Sequence, residues 1–182
     1  MNLPGLAEIE AEAARRGLLL RLQDRRPLAG LRLLRVGVAR RADPADSASP
    51  LQLLGDLKGW ALPVPDGLRL DTMRVQGADT AAVGPLIWSA CFAWALEATP
   101  CHRATFLAIR DDERQHARLV RYFSGLGFAP LRPVGASPAD LPARLLWGGS
   151  GLLMRGDCAV GLERSVRRLA KVSVVQAASA AW

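Results

Sequence analysis

Apolar residues recur along this chain with two different periods, and the switches between them mark out its elements. From Leu6 to Arg16, Ile9 and Ala13 fall one turn apart among charged neighbours, which predicts a helix stopped at Gly17. Gly17 to Gln23 is an apolar run that predicts a strand, broken by Asp24-Arg25-Arg26-Pro27. Leu31 to Arg40 comes close to alternation and predicts a second strand. The Pro/Ser/Asp-rich segment from Ala42 to Pro50 predicts a loop or a mobile hairpin tip. Leu51 to Leu62 predicts a third strand, with Gly55 and Gly59 as bulge or close-approach positions. After a turn at Pro63–Gly67, Leu68 to Val75 alternates as a fourth strand. A loop follows from Gln76 to Gly84, and Pro85 suits the first turn of a helix reaching Ala98.

The stretch from Arg103 to Pro130 is the most informative. Thr105 to Ile109 reads as a strand. Asp111 or Asp112 can cap the helix after it, and their charge suits its N-terminal dipole. His116, Leu119, Val120 and Phe123 fall at i, i+3, i+4 and i+7 and line one face. Gly127 stands where a left-handed C-cap is wanted, and Phe128 turns back to the core. Ala136 to Pro142 predicts a loop. Leu145 to Arg155 predicts a last strand interrupted by Gly148-Gly149-Ser150-Gly151. Leu162 to Val172 predicts a basic amphipathic helix, and the Ala/Ser-rich tail over 173–182 is expected to fray. No repeat or long linker divides the chain, so one α/β domain over residues 1–182 is expected, with its core over about 17–155.

Composition narrows the chemistry. A 182-residue chain that is 50% hydrophobic can bury a substantial core. The net charge is +7, and only Lys58 and Lys171 are lysines. Such a surface attracts nucleic acid, anionic membranes or phosphorylated cofactors. The arginines are dispersed and lack interleaved aromatics, which argues against nucleic acid. Cys91, Cys101 and Cys158 are too few and too scattered for a disulfide framework. His102 and His116 form no metal-ligand spacing with them, so no metal is expected. The first residues carry three glutamates before their arginines, unlike a secretory signal. The longest apolar run, Val83 to Leu96, is shorter than a bilayer span. A cytoplasmic protein without a transmembrane segment is expected.

The ending Tyr122-Phe-Ser-Gly-Leu-Gly-Phe128 resembles the Leu-Tyr-x-x-x-Gly-Phe motif of the GNAT superfamily of N-acetyltransferases. With the order of elements, the resemblance covers roughly Gly17 to Arg155. It implies a mixed, largely antiparallel sheet flanked by helices and splayed between its fourth and fifth strands. It also implies acetyl-CoA-dependent acyl transfer to a primary amine by direct attack on the thioester. In that family the fourth strand runs into an Arg/Gln-x-x-Gly-x-Gly/Ala loop and a helix. Backbone N–H groups and the helix dipole there hold the coenzyme pyrophosphate.

The corresponding stretch here is Val75 to Pro85. Gln76 to Gly84 would bind the pyrophosphate, with Gly77, Ala81, Ala82 and Gly84 allowing close approach. Thr80 stands near the expected basic or glutamine position, Asp79 adds a negative charge, and Pro85 removes a donor. Backbone N–H groups near Met73 to Val75 would polarise the thioester carbonyl. Relatives carry an asparagine early in the next helix, a place approximated by His116. Near its end they carry a tyrosine that protonates the departing thiolate. By count from Gly127 that position holds Phe123, a cofactor contact that cannot donate. Its neighbour Tyr122, turned by about 100°, is the chain's one tyrosine and the candidate acid. Asp71, Glu113 and His116 are candidate bases by type, and a water chain could serve instead. Asp71 could equally pair with Arg74 as a structural contact. The alternative role is a catalytically inactive relative that binds an acidic protein partner or lipid headgroups. It would use Arg164, Arg167, Arg168 and Lys171.

Overall fold

A computed structural model of the chain describes residues 2–43 and 45–179, with side-chain surroundings given to Val172. The elements run α1 (Leu6–Arg15), β1 (Leu19–Leu28), β2 (Leu31–Arg41), β3 (Leu51–Ala61), β4 (Leu68–Val75) and α2 (Val83–Ala98). They continue with β5 (Arg103–Ile109), α3 (Glu113–Leu126), β6 (Phe128–Val134), α4 (Leu141–Trp147), β7 (Gly151–Asp157) and α5 (Cys158–Ser179). A 3-10 turn, Pro138–Asp140, leads into α4. The seven strands form one sheet in the order β1-β2-β3-β4-β5-β7-β6. All neighbours are antiparallel except β4 and β5. The fold is therefore mixed α/β, with helices flanking a mostly antiparallel sheet.

Helix α2 organises the core. It is apolar on every side, and its residues from Val83 to Ala95 are buried apart from Pro85. A helix of that composition must be covered all round. Its cover is the inner face of the sheet, with Val36, Leu57 and Leu70, together with Ile9 of α1 and Leu162 of α5. A second, smaller cluster of Leu107, Val134, Ala143 and Leu153 lies between β5, β6, β7 and α4, with Trp147 packed against it.

Four boundaries differ from the expectations, each for a physical reason. Strand β1 continues through Asp24-Arg25-Arg26-Pro27 to Leu28. It lies at the sheet edge and its register with β2 shifts between Arg25 and Leu28, where a proline's missing N–H is tolerated. Helix α2 begins at Val83, so Pro85 falls in the first turn, where no intrahelical N–H bond is due. Residues 141–147, read as loop and strand, are the helix α4, with Pro142 in its first turn and Gly148 as a left-handed C-cap at φ 75°. Helix α5 starts at Cys158 because Asp157 accepts from the backbone N–H groups of Ala159 at 2.9 Å and Val160 at 3.1 Å. Its backbone continues to Ser179, past the predicted stop at Val172, so residues 173–179 of the tail expected to fray are helical, and 180–182 lie outside the described residues.

The seating of α2 on β3 depends on one small residue. A Cβ at Gly55 would come within 2.8 Å of Val83 Cγ1, 2.8 Å of Arg74 O and 3.0 Å of Ile87 Cδ1. Gly55→Ala is expected to destabilise the protein by roughly 1–3 kcal/mol, the cost of overpacking a filled site. Urea unfolding would show a lowered midpoint with an unchanged m-value. An unchanged midpoint would mean that α2 is not seated as described.

Candidate functional site

The parallel contact between β4 and β5 ends after two residue pairs, Leu68 with Ala104 and Arg69 with Thr105. Beyond them the strands part. A β-bulge contributes to this. Lys58 of β3 pairs with Thr72 and Gly59 with Leu70, leaving Asp71 as the extra residue. The bulge also switches which face each β4 side chain takes, so Met73 packs with Leu68 and Leu70 against the main core. The alternation read from sequence would have put Met73 on the opposite face from Leu70.

The parting of β4 from β5 leaves backbone groups free on one edge. Gln76 N–H donates to Leu54 O at 2.8 Å, which fixes that pair as hydrogen-bonded. By the strict alternation of an antiparallel ladder, Met73 (opposite Leu57) and Val75 (opposite Gly55) turn their N–H and C=O groups away from β3. Those groups face the splay. Nearer the fork, Trp147 of α4 donates its indole N–H to Leu70 O at 3.3 Å.

A cavity of about 600 Å³ occupies this opening. Its walls are the far half of β4, the start of α2, the end of β5 and one face of α3. Of the residues singled out in the sequence, Asp71, Met73, Val75, Thr80, Ala81, Gly84, Tyr122 and Phe123 line it. Gln76, Gly77, Ala82 and His116 do not. Gln76 is turned toward β3, its amide donating to Leu53 O at 3.3 Å. Gly77 serves the turn, at φ 95°, and Ala82 is buried at the N-cap of α2. Asp79, at φ 54°, fronts a separate concavity shared with Arg15, Arg16 and Arg40. Its charge therefore lies beside arginines and outside the cavity wall.

Helix α3 is fixed by its N-cap, where the Asp112 carboxylate accepts from Gln115 N–H at 2.9 Å. His116 is buried, with Nδ1 3.3 Å from Ile109 O, and ties α3 to the end of β5. Glu113 is exposed and stands 3.9 Å from Arg110. Neither reaches the cavity. Arg74 stands opposite Asp56 in the register and makes no pair with Asp71. The cavity-facing stripe is instead Gln115, Leu119 and Tyr122, at i, i+4 and i+7. Gln115 and Thr72 were not foreseen. The helical period that marked His116 marks Gln115 one residue earlier, but an exposed glutamine draws no notice in a hydrophobicity pattern.

Tyr122 is the best-defined polar group of the site. Its Oη accepts from Trp88 Nε1 at 2.9 Å. An oxygen that accepts there keeps its own O–H to donate. That oxygen also lies 3.6 Å from where a Cβ on Gly84 would be, an ordinary contact distance beside α2. Burial raises the phenol's pKa, and the Trp88 hydrogen bond and the Arg168 guanidinium, 5.1 Å above the ring, oppose the rise without cancelling it. Phe123 packs edge-on against Trp88 at 5.4 Å and Tyr122 at 5.3 Å, which holds both rings. The cysteine thiols are all buried, and burial pushes Cys91 and Cys158 up, away from thiolate character. Among the described residues no cluster of three or more His, Cys, Asp or Glu is placed to hold a metal ion. No helix among them is long and apolar enough to cross a membrane.

No protein-family model matches the chain. No curated protein matches it either. Among solved structures, an uncharacterized protein from Bacillus halodurans aligns with a TM-score of 0.49 and 11% identity, covering 80% of this chain and 68% of that one.

With a single tyrosine, ionisation can be read directly from phenolate absorbance. The midpoint of an alkaline titration is expected above 10, because burial dominates. Arg168→Ala should move it higher still, since removing a nearby cation disfavours the phenolate. A midpoint at or below 10, or a fall in Arg168→Ala, would contradict this arrangement.

Proposed function

We propose that this protein is an acyl-CoA-dependent N-acyltransferase that transfers an acetyl group to a primary amine. One observation carries the reading. The free backbone edge of Met73 and Val75 and the free hydroxyl of Tyr122 line the same cavity. An extended, amide-bearing chain such as pantetheine can add to an open strand edge through main-chain hydrogen bonds. Met73, Leu119 and Phe123 give it apolar walls. In the first turn of α2, Val83 N–H is taken by Thr80 O at 2.9 Å and Pro85 has none, so Gly84 N–H is the donor offered to an anion at the mouth, and Asp79 lies outside the wall. Acetyl-CoA would supply the activated thioester.

The chain's own groups then divide the work. The amine nitrogen attacks the thioester carbon, and the C–N bond forms as charge develops on the carbonyl oxygen. Backbone N–H groups of Met73 and Val75 are the donors available for that oxygen. When the C–S bond breaks, the Tyr122 O–H supplies the proton taken up by the sulfur. Its raised pKa keeps it protonated at neutral pH. The proton lost by the amine leaves to water past Asp71, one of the two carboxylates, with Asp111, in the cavity wall. His116 takes no part, because it lies outside the cavity wall.

A non-catalytic binding module is the rival, favoured by Pro85 and the missing glycine pattern. Its partner surface is weakened by existing commitments. Arg164 donates to Ser124 O at 3.1 Å, Arg167 pairs with Glu163 at 2.6 Å, and Arg168 lies over Tyr122.

Calorimetric titration with acetyl-CoA at low salt is expected to give saturable binding that requires the pantetheine arm. Tyr122→Phe should lower kcat by about 10²-fold, as for loss of a general acid, with little change in KM for acetyl-CoA. No heat at millimolar acetyl-CoA would overturn the acyltransferase reading and favour the module. An unchanged kcat would remove Tyr122 from the chemistry.

A further inference from the structure

The outer face of β1 to β4 carries a second concavity, of about 320 Å³, which meets the main cavity at Asp71, a residue of both walls. Its charges are unusually placed. Arg35 of β2 stands directly opposite Lys58 of β3 in the ladder. Like charges at directly opposed positions repel, and a sheet normally avoids them. Arg25, two residues along β1 from Gln23, which faces Arg35, adds a third cation to the same wall. The counter-charge is thin. Asp56 lies 3.8 Å from an Arg35 side chain that is 56% exposed. Among the described residues no ion pair holds Lys58 or Arg25. Trp60 and Leu33, opposite each other, give the concavity an apolar floor.

We infer that this concavity binds an anionic group, and, resting on the acyltransferase reading above, that the acceptor is an amine bearing a carboxylate or phosphate. The anion relieves the repulsion between Arg35 and Lys58, while Asp71 receives the ammonium at the junction with the cavity. Lys58 is one strand from Asp71 and Arg35 is two. At the usual strand spacing, nitrogen and anion are therefore separated by roughly 5–10 Å. This distance suits an ω-amino acid or an amino-alkyl phosphate better than an α-amino acid. A polyamine would instead bring its second ammonium to the arginines.

Two independent measurements test this. In thermal melts, inorganic phosphate should raise the Tm of the wild type above a sodium chloride control of equal ionic strength. Lys58→Gln should melt higher than the wild type in plain buffer, because the repulsion is gone, and should lose the phosphate response. Equal responses in both proteins, or none in the wild type, would overturn the anion site whatever the enzyme does. In acetyl-transfer assays, 4-aminobutyrate and phosphoethanolamine should be preferred to putrescine, and their ranking separates carboxylate from phosphate. Lys58→Gln should raise the KM of the preferred one about tenfold, one order in binding, with kcat nearly unchanged. Turnover of putrescine alone would overturn the acceptor assignment while leaving the acyltransferase reading intact. Failure to bind acetyl-CoA would remove that reading and leave the anion site to the melts.

Discussion

The site depends on a broken ladder. A parallel pair that stops after two residue pairs leaves main-chain donors and acceptors of β4 without a strand partner, a loss that would cost about 1–3 kcal/mol per group if they were buried, but Met73 and Val75 lie at the open end of the strand. The fold tolerates this because the strands are held apart by packing on both sides. On one side α2 and the rings of Trp88, Phe106, Phe123 and Phe128 fill the space beneath the fork. On the other, Trp147 brings an indole N–H to Leu70 O, satisfying the carbonyl next to the bulge. Only farther out, at Met73 and Val75, is the edge left without a strand. The opening is thus confined to the segment where a ligand can complete the hydrogen bonding.

Tyr122 illustrates how packing converts a surface residue into a poised group. Its position in α3 is one residue from the inward-facing Phe123, and isolated helix geometry would send it aside. The cavity between α2 and α3 receives it because Trp88 presents an indole N–H at hydrogen-bonding distance. Arg168 of α5 covers the outer face of the ring. Three helices therefore determine the environment of one hydroxyl, and both Trp88 and Arg168 oppose the desolvation that burial imposes.

Much of this was legible in the residues. A cap at Asp111 or Asp112, found at Asp112, Gly127 as left-handed stop at φ 100° and the core face of α3 follow from local rules and are found. So are the alternation of β2 and the order of elements through β6. The misreadings share a cause. Leu145-Leu146-Trp147 has no clear period, and a short apolar run can be strand or helix until its partners are known. Pro27 is a breaker in an interior strand and harmless at an edge, which depends on the topology of the whole sheet. Gly59, read as a bulge or close-approach position, does mark the register shift, but that the extra residue is Asp71 could not be read, because it is a mismatch between β3 and β4 that neither strand carries alone. That mismatch decides which of Thr72 and Met73 faces α2, so the fine anatomy of the site was beyond a local reading.

The two halves of the sheet are covered differently, and this locates where chemistry can occur. Strands β5 and β7 bury both faces, one against the main core and one beneath α4, while the edge strand β6 buries only its ends, Phe128 and Val134. Strands β1 to β3 bury only the face toward the helices, and their alternate residues, Arg35 and Lys58 among them, stay exposed. Strand β4 is the boundary between these regimes. A residue on it can face the open sheet surface, the fork, or, at a bulge, both. Asp71 is that bulged residue, and it alone joins the outer concavity to the cavity that holds Tyr122. A bulge placed two residues away on β4 would keep the fork but separate it from the cationic face. The one-residue insertion thus couples a hydrogen-bonding edge on one side of the sheet to a charged surface on the other.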